Sequence, residues 1–193
     1  MRLGILGGTF DPFHWGHLTL ARNARDQFSL DKVIFIPTYD PPHKREAPPR
    51  ASAADRYAMV RLGLQGEPSF EASDLEIQRK GPSYSYDTIA ELEKIYLGAI
   101  FFLVLGKDTF KGLETWHRAG EIKRKVRFLV GDRSTHGNAE IEGAHVEWIR
   151  MPLCPVSASG IREDIAKGKI PEDQLPPSVF QFIRDHHLYR EIS

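Results

Sequence analysis

Six short apolar runs, all but one followed by a segment patterned for a helix, restrict this chain to very few folds. The runs are Leu3–Leu6, Val33–Ile36, Ser69–Ala72, Ile100–Leu105, Val126–Val130 and Val146–Ile149. Between and after them, apolar residues recur at spacings of three and four near Gly16–Phe28, Ala54–Leu64, Tyr86–Tyr96, Leu113–Ala119, Ser159–Ala166 and Ser178–His186. Strands that are apolar throughout are buried on both faces, and strand-helix alternation buries them most simply as a parallel sheet. Right-handed crossovers then give an α/β, doubly wound, Rossmann-like parallel sheet with helices on both faces. Residues 1–193 read as a single domain, with 155–193 as a C-terminal helical subregion. In such a sheet ligands bind beyond the carboxyl ends of the strands. The chemically suggestive segments follow Leu6, Ile36, Leu105 and Ile149, so the fold would gather them into one site.

Charge and cysteine content narrow the function. Acidic and basic residues number 26 each, which argues against a nucleic-acid binder driven by bulk electrostatics. The one cysteine, Cys154, excludes an internal disulfide framework and fits a reducing compartment. It reads as a structural thiol. No segment resembles a signal peptide, and the longest apolar run, Ala99–Leu105, is too short to span a bilayer. The expectation is a cytoplasmic protein with no membrane or nucleic-acid partner. Whether copies of the chain assemble into a homo-oligomer is left open.

The first apolar run leads directly into Gly7-Gly8-Thr9-Phe10-Asp11-Pro12-Phe13-His14-Trp15-Gly16-His17. Gly7 and Gly8 allow close approach of a ligand and backbone angles closed to other residues. Exposed N–H groups at a helix start favour anions, and His14 and His17 share a face if the helix has begun. Two imidazoles beside an anion site suit a phosphate chain. Two plainer readings compete: histidines that only cap and pack, and a metal site, for which no third ligand stands at a recognisable spacing.

Four other segments carry polar groups where a ligand would sit. Thr38–Pro49 is rich in proline and charge and reads as a long surface loop; its Lys44 can hold a point charge over a polyphosphate. Gly81–Thr88 leads into a helix, with Ser85 or Asp87 as N-cap or, alternatively, with open amides for a small carboxylate. Gly106 and Asp108 follow the most apolar strand, where a carboxylate can hold ribose hydroxyls or cap a turn. Trp116 is either core or a stacking surface for a flat ring. Pro155–Arg162 offers Ser157 or Ser159 as an N-cap, lacks a capping-box partner, and sets Arg162 at a helix start that can cradle an anion. Gly131–Gly143 is a polar loop in which Arg133 has no assigned role. Val179, Phe182 and Ile183 are at helical spacing and read as packing.

Gly7–His17 resembles the GGxFDPxHxGH signature of the nucleotidylyltransferase superfamily that carries the HxGH motif. Pro41-Pro42-His43-Lys44, Gly81–Thr88, Gly106–Asp108, Pro155–Arg162 and the closing Leu175–Tyr189 segment resemble, in order, those of bacterial nicotinate mononucleotide adenylyltransferases. The chain departs from that pattern at Ser85 (usually Thr), Ala158 (usually Ser) and Gly160 (usually acidic or polar). The resemblance implies adenylyl transfer from ATP to nicotinate mononucleotide, giving deamido-NAD and pyrophosphate. It implies catalytic roles for His14, His17, Lys44 and Arg162. Contacts to ATP would come from Gly7, Gly8, Thr9, Phe10, His14 and His17, from Gly106 and Asp108, and from Ser157, Ser159, Ile161 and Arg162. The mononucleotide would meet Thr9, Lys44, Ser83, Tyr84, Ser85, Trp116 and His117, with no acidic side chain facing its pyridine substituent. Magnesium (Mg2+) would be delivered with ATP, since no dense carboxylate cluster offers a dedicated metal site. A sister enzyme with another acceptor, a non-catalytic nucleotide sensor and a metal-dependent hydrolase are the competing functions.

Overall fold

The computed structural model describes residues 1–42, 47–132, 141–152 and 154–190. Strands β1 (Arg2–Gly8), β2 (Lys32–Pro37), β3 (Phe70–Ala72), β4 (Ile100–Gly106), β5 (Arg127–Gly131) and β6 (Val146–Ile149) form one sheet in the order β3-β2-β1-β4-β5-β6. Every pairing is parallel. All six apolar runs are therefore strands, and the doubly wound Rossmann-like architecture is the one present.

The strands sort their side chains by the two-residue period of the pleat. Val33 and Phe35, Phe102 and Val104, and Leu129 enter one apolar cluster. Ile34 and Ile36, Phe101, Leu103 and Leu105, and Phe128 and Val130 enter the other. Helices α1 (Trp15–Phe28), α2 (Ala53–Gly63), α7 (Ala158–Ala166) and α8 (Pro177–Asp185) cover the first face. They bury Leu18 and Ala21, Met59 and Val60, Ile161, and Val179 and Ile183 there. Helices α4 (Ser85–Ile95), α5 (Lys107–Lys111) and α6 (Ala119–Lys125) cover the second with Ile89 and Leu92, Phe110, and Ile122. A five-residue helix α3 (Leu75–Arg79) precedes α4.

Helix α2 approaches the signature loop so closely that only glycine fits at its end. A Cβ on Gly63 would lie 2.4 Å from the Phe13 ring. Phe13 is fully buried, so that contact wedges the loop against the helix layer.

The expected helix over Leu113–Ala119 is not present as drawn. Leu113–Thr115 is a single 3-10 turn, and α6 begins only at Ala119, after Arg118 takes a left-handed backbone conformation at φ 58°. With Ala119 and Ile122 as its only buried residues, α6 has too little apolar period to be seen in the sequence.

Candidate active site

Strand β1 runs through Gly7 and Gly8 before the chain turns. Neither glycine has a positive φ; the left-handed residue of this loop is Phe10, at φ 51°. The expectation that the glycines supply unusual backbone angles is thus corrected. Gly7 is there for space: a Cβ on it would meet nothing within 4 Å, because it would project into the open cavity. Phe10 tolerates its conformation because it is buried and packs edge-on to His17 at 4.9 Å between ring centroids.

The two histidines form a capping box at the start of α1. His14 is the N-cap, and its Nδ1 accepts from the Gly16 N–H at 3.1 Å. The His14 N–H in turn donates to His17 Nδ1 at 3.2 Å. A neutral imidazole has one N–H, so a ring whose Nδ1 accepts carries its proton on Nε2. Both rings are thereby set as Nε2–H donors, a tautomer assigned from the hydrogen-bond network. The rings stack at 3.7 Å, and His17 also stacks on Phe13 at 5.6 Å. The helix start is accordingly not a set of open amides, as the sequence suggested. The His14 and Gly16 N–H groups are engaged by imidazole nitrogens and the His17 N–H by the His14 carbonyl, so the imidazoles present donors instead. Capping and packing, the plainer reading, is what the two rings do here, and it leaves their Nε2 sides to the cavity.

Behind the loop lies a buried polar cluster around Asp11, which is 4% exposed. Its Oδ1 accepts from the Ala51 N–H at 3.1 Å and the Tyr189 hydroxyl at 2.7 Å, and its Oδ2 from the Arg50 N–H at 2.8 Å. Arg162 donates from Nη1 to the Asp11 carbonyl at 2.6 Å. Arg56 donates from Nη1 to the Thr9 carbonyl at 2.8 Å. Burial, and then Asp11, hold the Tyr189 hydroxyl far above the ordinary phenol range, so it stays a donor. Burial pushes the Arg56 guanidinium down.

A second helix start is built in the opposite way. Tyr84 is the N-cap of α4, with no side-chain cap bond, so neither Ser85 nor Asp87 caps it. Ser83 holds the approaching loop: its hydroxyl accepts from the Tyr39 N–H at 2.9 Å, and its own N–H donates to the Asp40 carbonyl at 2.9 Å. The Tyr84 ring lies 4.5 Å from that of His117. A third helix start, that of α7, is capped by Ser157, whose hydroxyl accepts from the Gly160 N–H at 3.2 Å.

These segments converge on a cavity of about 430 Å³ at the carboxyl ends of β1 and β4. The strand order reverses between those two strands, which is where ligands enter such sheets. Of the predicted site residues, Gly7, Gly8, Thr9, His14, His17, Gly106, Ser157, Ser83, Tyr84, Ser85, Trp116 and His117 line it. Phe10 and Ile161 are instead core residues, 1% and 0% exposed, so they support the site without facing it. Asp108 and Ser159 are exposed and lie outside the cavity wall. Arg162 is outside the wall as well and is turned onto Asp11; its buried Nε lacks a hydrogen-bond partner among the described residues. Lys44, with His43, and Arg133 fall outside the described residues.

Two of the wall residues that were not foreseen carry buried polar atoms. Thr38 follows β2, and its buried hydroxyl has no hydrogen-bond partner among the described residues. Glu76, on α3, is 5% exposed and lines the cavity beside Ser83, Tyr84 and Ser85. Its Oε1 accepts from the Thr88 hydroxyl at 2.6 Å, while its buried Oε2 has no partner among the described residues. Burial pushes its carboxyl up, with the Thr88 and Ser83 hydroxyls and Arg79 opposing. The expectation that no acidic side chain faces this pocket is thereby overturned. In sequence Glu76 sits in Asp74-Leu75-Glu76-Ile77-Gln78-Arg79-Lys80, which reads as a solvated charged stretch; only the Glu76/Arg79 spacing hinted at a helical turn. No group of three or more His, Cys, Asp or Glu among the described residues could hold a metal ion.

A family model described as cytidylyltransferase-like matches residues 5–164. The "probable nicotinate-nucleotide adenylyltransferase" of Solibacter usitatus is 42% identical over 98% of this chain and 100% of its own length. That of Exiguobacterium sibiricum is 38% identical over 98% and 99%. Among solved structures, a Plasmodium falciparum nicotinic acid mononucleotide adenylyltransferase complexed with NaAD superposes with a TM-score of 0.81. It is 16% identical and covers 97% of both chains, a likeness of fold.

Proposed function

The chain belongs to the cytidylyltransferase-like family and, within it, to the nicotinate-nucleotide adenylyltransferases, and from that premise we propose how its cavity carries out their reaction. The substrates are ATP and nicotinate mononucleotide; the products are deamido-NAD and pyrophosphate. The observation that carries the reading is one cavity that holds both the His14/His17 capping box and the start of α4, which no side chain caps.

The 5′-phosphate oxygen of the mononucleotide attacks the α-phosphorus of ATP in line. A bond forms between that oxygen and phosphorus, the bond to the β-phosphate oxygen breaks, and pyrophosphate leaves with its electron pair. The nucleophile is already an anion at neutral pH, so the protein's task is positioning and charge stabilisation. His14 and His17 donate from Nε2 to the phosphate oxygens where negative charge builds. Gly7, with nothing where its Cβ would stand, lets the phosphates lie against the β1 backbone. The Ser157 hydroxyl borders the same space. Lys44 is assigned to the departing pyrophosphate on its sequence motif. Arg162 acts from behind: bonded to the Asp11 carbonyl, it fixes the loop that carries the histidines. The amides at the start of α4 receive the pyridine carboxylate, and Trp116 offers a stacking face for the ring.

Magnesium enters as the counter-ion of the ATP phosphates and reduces their charge; the wall residues supply no ligand cluster of their own. No helix among the described residues is long and apolar enough to cross a membrane, and the reading places the enzyme in the cytoplasm with its substrates. Incubation with ATP and nicotinate mononucleotide should yield deamido-NAD and pyrophosphate, identified by mass. Absence of product with this acceptor, but formation with nicotinamide mononucleotide or phosphopantetheine, would reassign the substrate.

A further inference from the structure

We propose that Glu76 is a specificity-determining residue whose uncharged carboxyl donates a hydrogen bond from Oε2 to the carboxylate on the pyridine ring. The inference rests on the adenylyl-transfer reading above and deepens it. Glu76 stands in the cavity wall among the groups assigned to the pyridine, namely Ser83, Tyr84, Ser85, Trp116 and His117. Of its two oxygens, one is held by Thr88 and the other is buried, with no hydrogen-bond partner among the described residues. An ionised carboxylate does not leave a buried oxygen unfilled without a large penalty. A protonated carboxyl makes that oxygen a donor in search of an acceptor.

The surrounding charges pull in both directions. Arg79, on the same helix, has Nη2 at 3.9 Å from Oε1, but it bonds Glu91 at 2.9 Å and the Thr88 hydroxyl at 3.0 Å. Glu91, on α4, opposes a charge on Glu76, while the Thr88 and Ser83 hydroxyls favour it. Buried Arg56, on α2, also interacts with the charge on Glu76 and favours it, and His117 and Tyr84 are the other titratable groups of this part of the wall. Burial is the largest influence and favours the neutral form. A substrate carboxylate brought beside Glu76 tips the balance further, because two carboxyl groups in contact hold one proton between them.

The chemistry then separates acid from amide. A neutral Glu76 gives the nicotinate carboxylate a charge-assisted hydrogen bond. The nicotinamide carboxamide accepts a weaker one and leaves its NH₂ without an acceptor. Once ionised, Glu76 repels the carboxylate and accepts from the amide NH₂, so the preference for the acid fades as pH rises.

The test is the ratio of kcat/KM for nicotinate over nicotinamide mononucleotide between pH 5.5 and 9. Ionisation of ATP and of the shared 5′-phosphate cancels in that ratio. In the wild type it should fall by about tenfold or more across the range, the factor expected when one charge-assisted hydrogen bond is lost. In Glu76→Gln it should stay flat, since a carboxamide donates at every pH. A His117→Asn series should keep the wild-type fall and so exclude His117 as its source. A flat wild-type ratio, or a Glu76→Gln ratio that falls in parallel with the wild type, overturns the inference. So does a substitution that lowers kcat/KM equally for both acceptors at every pH, which is the mark of a purely structural role. Should Glu76→Gln not fold, the wild-type and His117→Asn series decide alone: a fall in both supports the inference, and a flat ratio in either overturns it. If neither mononucleotide is adenylylated at any pH, the reaction assignment fails first and the inference with it.

Discussion

The starts of α1 and α4 face the same cavity and solve the same problem in opposite ways. Both leave N–H groups at the first turn that the helix cannot satisfy. At α1 the chain fills them with imidazoles, and the imidazoles hand the donor role on to their outer nitrogens. At α4 no side chain among the described residues intervenes, and the backbone itself borders the cavity. The first arrangement places donors a ring's width beyond the backbone, where the proposed function puts the reacting phosphorus, and backs them with a buried cluster around Asp11. The second gives a short, fixed reach, suited to a planar group that only has to be recognised. On the proposed function, rate and selectivity are divided between two helix ends.

The largest effect that can break this division comes from His17→Ala. It removes one donor and half of the capping box, and turnover should fall by about 10²–10³, the usual cost of one preorganised transition-state contact. The loss should be equal with either mononucleotide. Retention of more than half of the wild-type turnover would end the phosphate role, and unequal loss would mean that α1 also selects. Steady-state rates with both acceptors decide it.

A smaller effect isolates the support behind α1. In Tyr189→Phe, Asp11 Oδ1 loses its 2.7 Å bond and keeps the Ala51 N–H. An underfilled buried acceptor costs about 1–3 kcal/mol, which lowers Tm by several degrees in a domain of this size. Thermal melting reads the cost, and the acid-to-amide ratio should not move. A changed ratio would show that the two ends are mechanically coupled.

The smallest effect belongs to α4. Ser85→Ala removes one hydroxyl from the wall while leaving the backbone donors, so the acid-to-amide ratio should drop by a few-fold, matching a net hydrogen bond of about 0.5–1.5 kcal/mol. Turnover with nicotinate mononucleotide should barely change. Comparing kcat/KM for both acceptors at one ATP concentration checks it; a ratio equal to wild type would place selection in the backbone and Glu76 alone.

The sheet was readable in advance because period and length are local properties: each strand is an unbroken apolar run, and each long helix carries its own stripe. Helices α3 and α5, five residues each, are too short to show a period. The same reason separates the legible part of the site from the rest. The HxGH string is contiguous, so Gly7, His14 and His17 could be placed at once. Asp11 and Tyr189 are 178 positions apart, and no spacing rule joins them. Glu76 looked like solvated charge because its burial comes from the loop that folds over it. Arg162 was placed correctly near a helix start but aimed wrongly, since its direction depends on a carbonyl 151 positions away.

That separation between Asp11 and Tyr189 has a consequence in time. The ribosome adds the hydroxyl that fastens the loop's carboxylate 178 residues after that carboxylate itself, and it adds Arg162 between the two. The buried cluster around Asp11 is therefore complete only once both Arg162 and Tyr189 have been made, and a chain stopped between them holds the loop with the cluster half built.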